Sequence, residues 1–347
     1  MSQHPFSFDG QSLITPQSMA RESATPQSED FAEQMTVAKA ELALTLSIAQ
    51  QQVENELPAA VVIDRLATQL HLTRRKFSPQ VWQALVEVAQ NHPVSDFFLE
   101  DPFTRWSFEK PRGYSGDAHL LDFIYGHARV SEAIERASPR GRALYDYTRE
   151  APSSVAVRER RDLLTRHIDE IAIGRGPDTE ILTIAAGHLR EAERSTALQS
   201  RMIKRWVALD QDPESIGSIA KDFAGTCVEA IDGSVRGLLT GRHSLGQFDF
   251  IYAAGLYDYL SFGVAVKLTE RCLQMLKPGG VFLFANFSND VAVDGYMETF
   301  MNWALLLRSE SDMWDIIAAV DGREAFDASV HFGANRNIVY GIVRSPS

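Results

Sequence analysis

The chain has 347 residues, of which 45% are hydrophobic, and carries a formal charge of -12. That length suits one large domain, or one compact domain with a sizeable extension, and the apolar content is ample for a core. The acidic balance excludes a general nucleic-acid binder, which needs a basic surface to neutralise phosphates. Cys227 and Cys272 are the only cysteines, too few for a disulfide framework and consistent with a reducing compartment. No basic segment with an apolar core opens the sequence, and no apolar run approaches membrane-spanning length, so a soluble cytoplasmic protein without a membrane partner is expected. HExxH, paired CxxC and clustered histidines are all lacking, so no metal site is expected.

Residues 1–29 are rich in Ser, Gln and Pro and read as a mobile tail. From about Asp30 the spacing of Phe31, Met35, Ala38, Leu42 and Leu46 predicts a helix. Two further amphipathic stretches, AAVVIDRLATQL and PQVWQALVEVAQ, follow Pro58 and complete a helical module over 30–150. Within it, DPFTRWSFEKPRGYSGDAHLLDFIYG gathers aromatic rings with Arg105, Arg112, Asp117 and Asp122 around a Pro-Arg-Gly turn. Such a loop suits a ligand lid, because rings exclude water while a few charges set orientation. The plainer alternative is a helix connection with a satisfied Arg–Asp pair and aromatic anchors. Its GYSGD lacks the GxSxG spacing of a nucleophile elbow.

The second domain is expected over 151–347. SSVAVRERRDLLTRHIDEIAI reads as an amphipathic helix with Val157, Leu164, His167, Ile168 and Ile171 inward and Arg158, Arg160 and Arg161 on its solvated face. DTEILTIAAGHLREAERSTALQSRMIKRWVALD then reads strand, glycine turn, charged helix, strand. In a parallel nucleotide-binding sheet the turn brings backbone close to the ligand, and the acid closing the second strand, here Asp210, accepts from ribose hydroxyls. The spacing of about twenty residues from turn to acid fits. Arg190, Glu191, Arg194, Arg201 and Lys204 are expected on ordinary solvated surface. DPESIGSIAKDF is a capped helix, and CVEAIDG a strand ending at Asp232. QFDFIYAAGLYDYLS supplies a fourth strand with a small-residue exit. After a helix through Cys272, LKPGG reads as a turn before a fifth strand, VFLFANFSN. The end of the sequence is a hairpin about Gly333 to Asn337. Strands alternating with helices predict an α/β, Rossmann-like doubly wound sheet behind an N-terminal helical domain.

AAGHLREAE, ALDQDPESI, FDFIYAAGLYDYL and LKPGGVFLFANF, with the closing hairpin, resemble the class I S-adenosylmethionine-dependent methyltransferases over about Val155 to Arg344. KPRGYSGD, AGLYDYL and NFSNDVAVDGYMETFMNWALLLRSESDM also resemble a narrower bacterial group, similar to the 3-hydroxypalmitic acid methyl ester biosynthesis protein. Where that group tends to carry proline after the fifth strand, this chain has NFSND. The same broad family includes members resembling azetidine-2-carboxylate synthases, which cyclise S-adenosylmethionine itself.

The resemblance implies S-adenosylmethionine as cofactor and a small-molecule substrate, with a hydroxy carboxylic acid of secondary metabolism as the expected class; it implies no oligomeric state. It places Ala185, Gly187 and His188 at the methionine part, Asp210 at the ribose, Gln211 beside the adenine, Asp232 and Gly233 at its amine, and Ala253, Ala254, Gly255 and Leu256 under the sulfonium. Tyr114, Tyr257 and Tyr259 are candidates to face the cation. Arg112 could orient an acceptor carboxylate, while Asp117, Asp258 or His188 could act as base for a hydroxyl or amine. Asn286 and Asn289 are expected as polar pocket residues. An S-adenosylmethionine cyclase and a non-catalytic module that binds the cofactor remain the two alternatives.

Overall fold

The computed structural model describes residues 31–347, so the tail expected over 1–29 lies outside the described residues. The chain forms two units, one of residues 31–155 with Asp290–Leu305, the other of Ala156–Asn289 with Leu306–Ser347. Asp290–Leu305, which local sequence assigns to the second domain, therefore belongs with the helices of the first.

The second unit is built on seven strands: β1 (Thr179–Ile184), β2 (Ile203–Asp210), β3 (Val228–Asp232), β4 (Phe248–Ala253), β5 (Leu276–Phe287), β6 (Asp327–Phe332) and β7 (Ile338–Arg344). Their order is β3-β2-β1-β4-β5-β7-β6. The first five run parallel, and β7 is antiparallel to both β5 and β6. This is the expected Rossmann-like sheet of class I methyltransferase type. β1 and β4 are buried along nearly their whole length, as strands covered on both faces must be, and this is why they read as continuous apolar runs and not as alternations. One face, through Ile184, Leu209, Ala253 and Phe284, joins a core with residues of the helices Phe262–Gln274 and Glu310–Ala318. The other carries Phe250 and Tyr252, with the helix Pro152–Arg175 set against it through His167.

Two connections differ from expectation. The charged stretch between β1 and β2 is not a long helix but a 3-10 turn, Ala192–Arg194, and a single helical turn, Thr196–Gln199. Asp169 anchors it, accepting from Ser195 Oγ at 2.6 Å and from the Ala197 amide at 3.0 Å. LKPGG is not a free turn either: β5 already begins at Leu276, with an irregularity opposite Phe248. Gly280 sits so close to the chain that a Cβ would lie 2.9 Å from Lys277 O and 3.0 Å from Phe248 O.

In the first unit, the helices Phe31–Glu54, Ala59–Lys76 and Pro79–Gln90 pack with the helix Asp294–Thr299. Asp294 accepts from Arg74 at 3.0 Å and faces His71 Nδ1 at 2.7 Å, while Glu298 pairs with Arg74 at 2.8 Å and accepts from Trp82 Nε1. A Cβ on Gly295 would stand 2.6 Å from the Leu70 backbone carbon, so helix and helix meet there without a side chain between them.

β7 offers a direct test of the sheet packing. A Cβ at Gly341 would lie 2.4 Å from the Phe284 ring, which is fully buried against Phe282 and Tyr257. Gly341→Ala is expected to cost about 3 kcal/mol by overpacking in urea unfolding; a loss under about 0.5 kcal/mol would show that the ring yields.

Candidate functional site

The strand order reverses direction at β1, whose neighbours are β2 and β4, and in open α/β sheets ligands bind outside the carboxyl ends of the strands at such a point. The turn that leaves β1 is unusual in its backbone. Ala185, Gly187 and Leu189 all take positive φ, at 56°, 56° and 54°, in the left-handed region that non-glycine residues enter only at a cost.

Asp210 holds that turn in place. Its Oδ2 accepts from the Gly187 amide at 2.7 Å, and its Oδ1 accepts from the Asp212 amide at 2.9 Å. Its backbone carbonyl accepts from the Gly233 amide at 2.9 Å, and the neighbouring Leu209 carbonyl takes the Ala186 amide at 3.1 Å. The loops after β1, β2 and β3 thus converge on one residue. Burial raises the Asp210 carboxyl above the ordinary aspartate range, against the pull of the Asp212 and Gly187 amides. A carboxylate offers about four acceptor sites, so two amides do not exhaust it.

The other predicted cofactor residues fall around this edge. Asp232 is the register partner of Asp210 and is exposed, as is Gln211. Gly233 admits no side chain, since a Cβ would lie 2.9 Å from His243 Nε2 and 3.0 Å from Leu209. His188 is buried, its Nδ1 3.2 Å from Arg190 Nη2. Ala254 is half-buried and Gly255 exposed at the exit of β4. Tyr257 is placed elsewhere: its ring is fully buried in the core, tilted on Phe284 at 4.5 Å, with its hydroxyl 2.9 Å from Thr269 Oγ1. Tyr259 is half-buried.

Asn286 is fully buried, and its side chain is spent on the protein. Its Nδ2 donates to the carbonyls of Phe287 at 2.9 Å and Leu306 at 2.7 Å, and its Oδ1 accepts from Arg308. Arg308, which no local pattern singles out, also donates to the carbonyls of Tyr257 and Leu260. Together they tie the loop after β4 to the end of β5. Asn289 is exposed. Asp258 does not cap the following helix: its Oδ1 accepts from the Phe287 amide at 2.6 Å, and its carbonyl accepts from Leu306 at 2.8 Å.

Arg112, Tyr114 and Asp117 lie in the first unit. Asp117 caps the helix Ala118–Tyr125 by accepting from the Leu120 amide at 2.9 Å, accepts from Trp106 Nε1 at 2.9 Å, and has Arg112 Nε 4.0 Å from its Oδ1. Burial raises its carboxyl. These are the contacts of the plainer alternative, an Arg–Asp pair with an aromatic anchor. Tyr114 is half-buried.

Three charged side chains assigned to solvated faces are instead buried. Arg190 is enclosed, paired with Glu193 and 3.6 Å from Asp222. Glu191 accepts from Tyr252 Oη at 2.6 Å and is raised by burial, opposed by the Tyr252 hydrogen bond and by the charges of Arg160 and Arg161. Arg160 is 4% exposed. Its position was legible in the spacing Val157, Arg160, Leu164, Ile168, which is that of a buried helix stripe.

No protein-family model matches the sequence, and no curated protein matches it. Among solved structures, a possible exported protein from Bordetella parapertussis superposes with a TM-score of 0.54 at 17% identity, over 83% of this chain and 96% of that one. N-methyltransferase NodS from Bradyrhizobium japonicum WM9 in complex with S-adenosyl-L-homocysteine gives 0.41 at 19% identity, over 62% and 98%. The first likeness is one of fold; the second is too distant to carry more.

Asp258 makes the region's pH response testable. Burial pushes its carboxyl up to about 6, in spite of the Phe287 amide and the charges of Arg160 and Arg308. The folded state therefore holds this proton more tightly than the unfolded chain does. The resulting stability is complete below the unfolded value near pH 4 and is lost as pH rises through about 6. Asp258→Asn keeps the acceptor for Phe287 but abolishes the titration, so its stability relative to wild type should climb by about 3 kcal/mol between pH 4 and pH 7. Urea unfolding across that range checks this, and a pH-independent difference would contradict it.

Proposed function

We propose that the second unit binds S-adenosylmethionine at the carboxyl edge of β1, β2 and β4 and transfers its methyl group to a small metabolite, in the finest form of this reading a hydroxy carboxylic acid. The observation that carries it is the convergence of three loops on Asp210. The residues present fit such a ligand. The left-handed turn Ala185 to Leu189 exposes backbone for close approach, and the remaining acceptor sites of Asp210 suit the paired hydroxyls of a ribose. Gln211 and Asp232 stand at the next two strand ends for the base, and Gly233 and Gly255 keep the floor free of side chains.

When bound, the sulfonium supplies a methyl group that is already activated. What is left to the protein is to fix the donor by its adenosine, align the acceptor and keep water out. The hydrogen bonds from Arg308 to the loop after β4 and to Asn286 hold the floor of that site rigid. Tyr257 contributes from below, as a core residue carrying the loop. Of the bases considered from the sequence, Asp258 is the one in this unit whose carboxyl burial raises to about 6, and we assign it the proton of a hydroxyl or amine acceptor; an acceptor carboxylate needs no base. Both cysteines are free thiols, and among the described residues no helix is long and apolar enough to cross a membrane; we place the protein in the cytoplasm on the cysteine content.

A ligand that binds only the folded protein raises its apparent stability. Saturating S-adenosylhomocysteine should therefore raise Tm by on the order of 5 °C, and Asp210→Asn should weaken its binding by about 10- to 100-fold. No shift in the wild-type protein would end this reading. Incubation with S-adenosylmethionine and a panel of hydroxy acids should release S-adenosylhomocysteine. Methylthioadenosine together with a four-membered imino acid from the donor alone, above the level without enzyme, would instead establish cyclisation, and tight binding without turnover a sensing module.

A further inference from the structure

Among the described residues of the second unit, Arg160 is a guanidinium whose enclosure the contacts above leave unexplained. It is 4% exposed, its Nη1 is buried with no hydrogen-bond partner, and its Nη2 lies 3.7 Å from the Cβ position of Gly255 at the exit of β4. Two buried acids act on it through space, Glu191 and Asp258. Each spends an oxygen elsewhere, on Tyr252 Oη and on the Phe287 amide. They balance the charge without satisfying the nitrogen. A second buried group in the same state is Tyr340 on β7: its side chain is fully enclosed and its hydroxyl has no partner. Arg160 acts on that hydroxyl electrostatically, drawing it down against burial. Tyr340 stands opposite Ala285, near the carboxyl end of β5.

An unbonded buried guanidinium N–H and an unbonded buried hydroxyl are each costly, and here both stand beside the carboxyl ends of neighbouring strands. Both can donate. Two donors, one of them a planar cation, match the oxygens of a carboxylate.

We propose that Arg160 and Tyr340 form a carboxylate-binding subsite at the β4–β5 side of the crevice. The occupant is the carboxylate of an acid bound beside the methyl donor or that of the donor's own amino-acid end. This rests on reading the β1–β4 edge as a site for S-adenosylmethionine. It moves the carboxylate from Arg112, which sequence reasoning favoured, to a residue of the sheet unit itself.

The test compares wild type, Arg160→Gln and Tyr340→Phe in calorimetric titrations with three probes: S-adenosylhomocysteine, methylthioadenosine, which has the same adenosine but no amino-acid end, and sodium 3-hydroxybutyrate added to protein saturated with methylthioadenosine. If the donor supplies the carboxylate, Arg160→Gln weakens S-adenosylhomocysteine by about 10- to 100-fold and leaves methylthioadenosine unchanged. If the acid supplies it, both nucleosides bind as in wild type and 3-hydroxybutyrate binding falls by about 10-fold or more. Tyr340→Phe should weaken the same probe by about 3- to 10-fold without lowering Tm, because its hydroxyl gives up no bond within the protein; this variant decides the matter if Arg160→Gln does not fold. Nucleoside binding in wild type with no carboxylate probe weakened by either variant overturns the subsite and leaves the cofactor reading intact. Failure of wild type to bind either nucleoside overturns both.

Discussion

The carboxyl edge of the sheet at β1 to β3 depends on a single carboxylate. Asp210 receives the amide of the β1 turn on one oxygen and that of its own loop on the other, and its carbonyl receives the loop after β3. The turn it holds is strained, with Ala185 and Leu189 at positive φ, a conformation costing on the order of 1 kcal/mol or more for each such residue. Charge-assisted bonds from amides to a buried carboxylate are strong enough to offset that. The strain and the acid are thus two parts of one device, and the device exists only at the point where the sheet changes direction.

A second set of bonds does for β4 and β5 what Asp210 does for β1 to β3. Arg308 spreads its donors over two carbonyls of the loop after β4 and over Asn286, and Asn286 in turn holds Phe287 and Leu306. Both side chains spend these bonds on the protein itself, as buried polar groups that fix one geometry. The unbonded nitrogen of Arg160 and the unbonded hydroxyl of Tyr340 lack the partners that Arg308 and Asn286 have.

The strands and the acid at Asp210 were readable because a parallel strand buried on both faces writes itself as an apolar run, and a run that stops on an aspartate is a local feature. What was not readable depends on distance. Nothing within LKPGG says whether its glycines turn or bulge; that is decided by Phe248, whose carbonyl crowds Gly280. Arg160 and Glu191 read as exposed because charge is taken as a sign of exposure, though Tyr252, which bonds Glu191, lies on β4, and Asp258, whose charge acts on Arg160, follows it in the chain. Asn286 read as a pocket residue because the resemblance puts the end of the fifth strand beside the acceptor, whereas Leu306 and Arg308, which bond it, follow about twenty residues later.

The departure of Asp290–Leu305 from the sheet unit bears on how the protein can be made. The chain finishes β5, contributes one helix to the other unit, where Asp294 and Glu298 meet Arg74 and Trp82, and then returns to supply β6 and β7. During synthesis the helical half stays incomplete until most of the polypeptide has left the ribosome. Cutting at Val155 yields no pair of independent fragments: the upstream piece loses the helix that neutralises Arg74, and the downstream piece carries Tyr296 and Phe300 without Phe98, on which both rings pack.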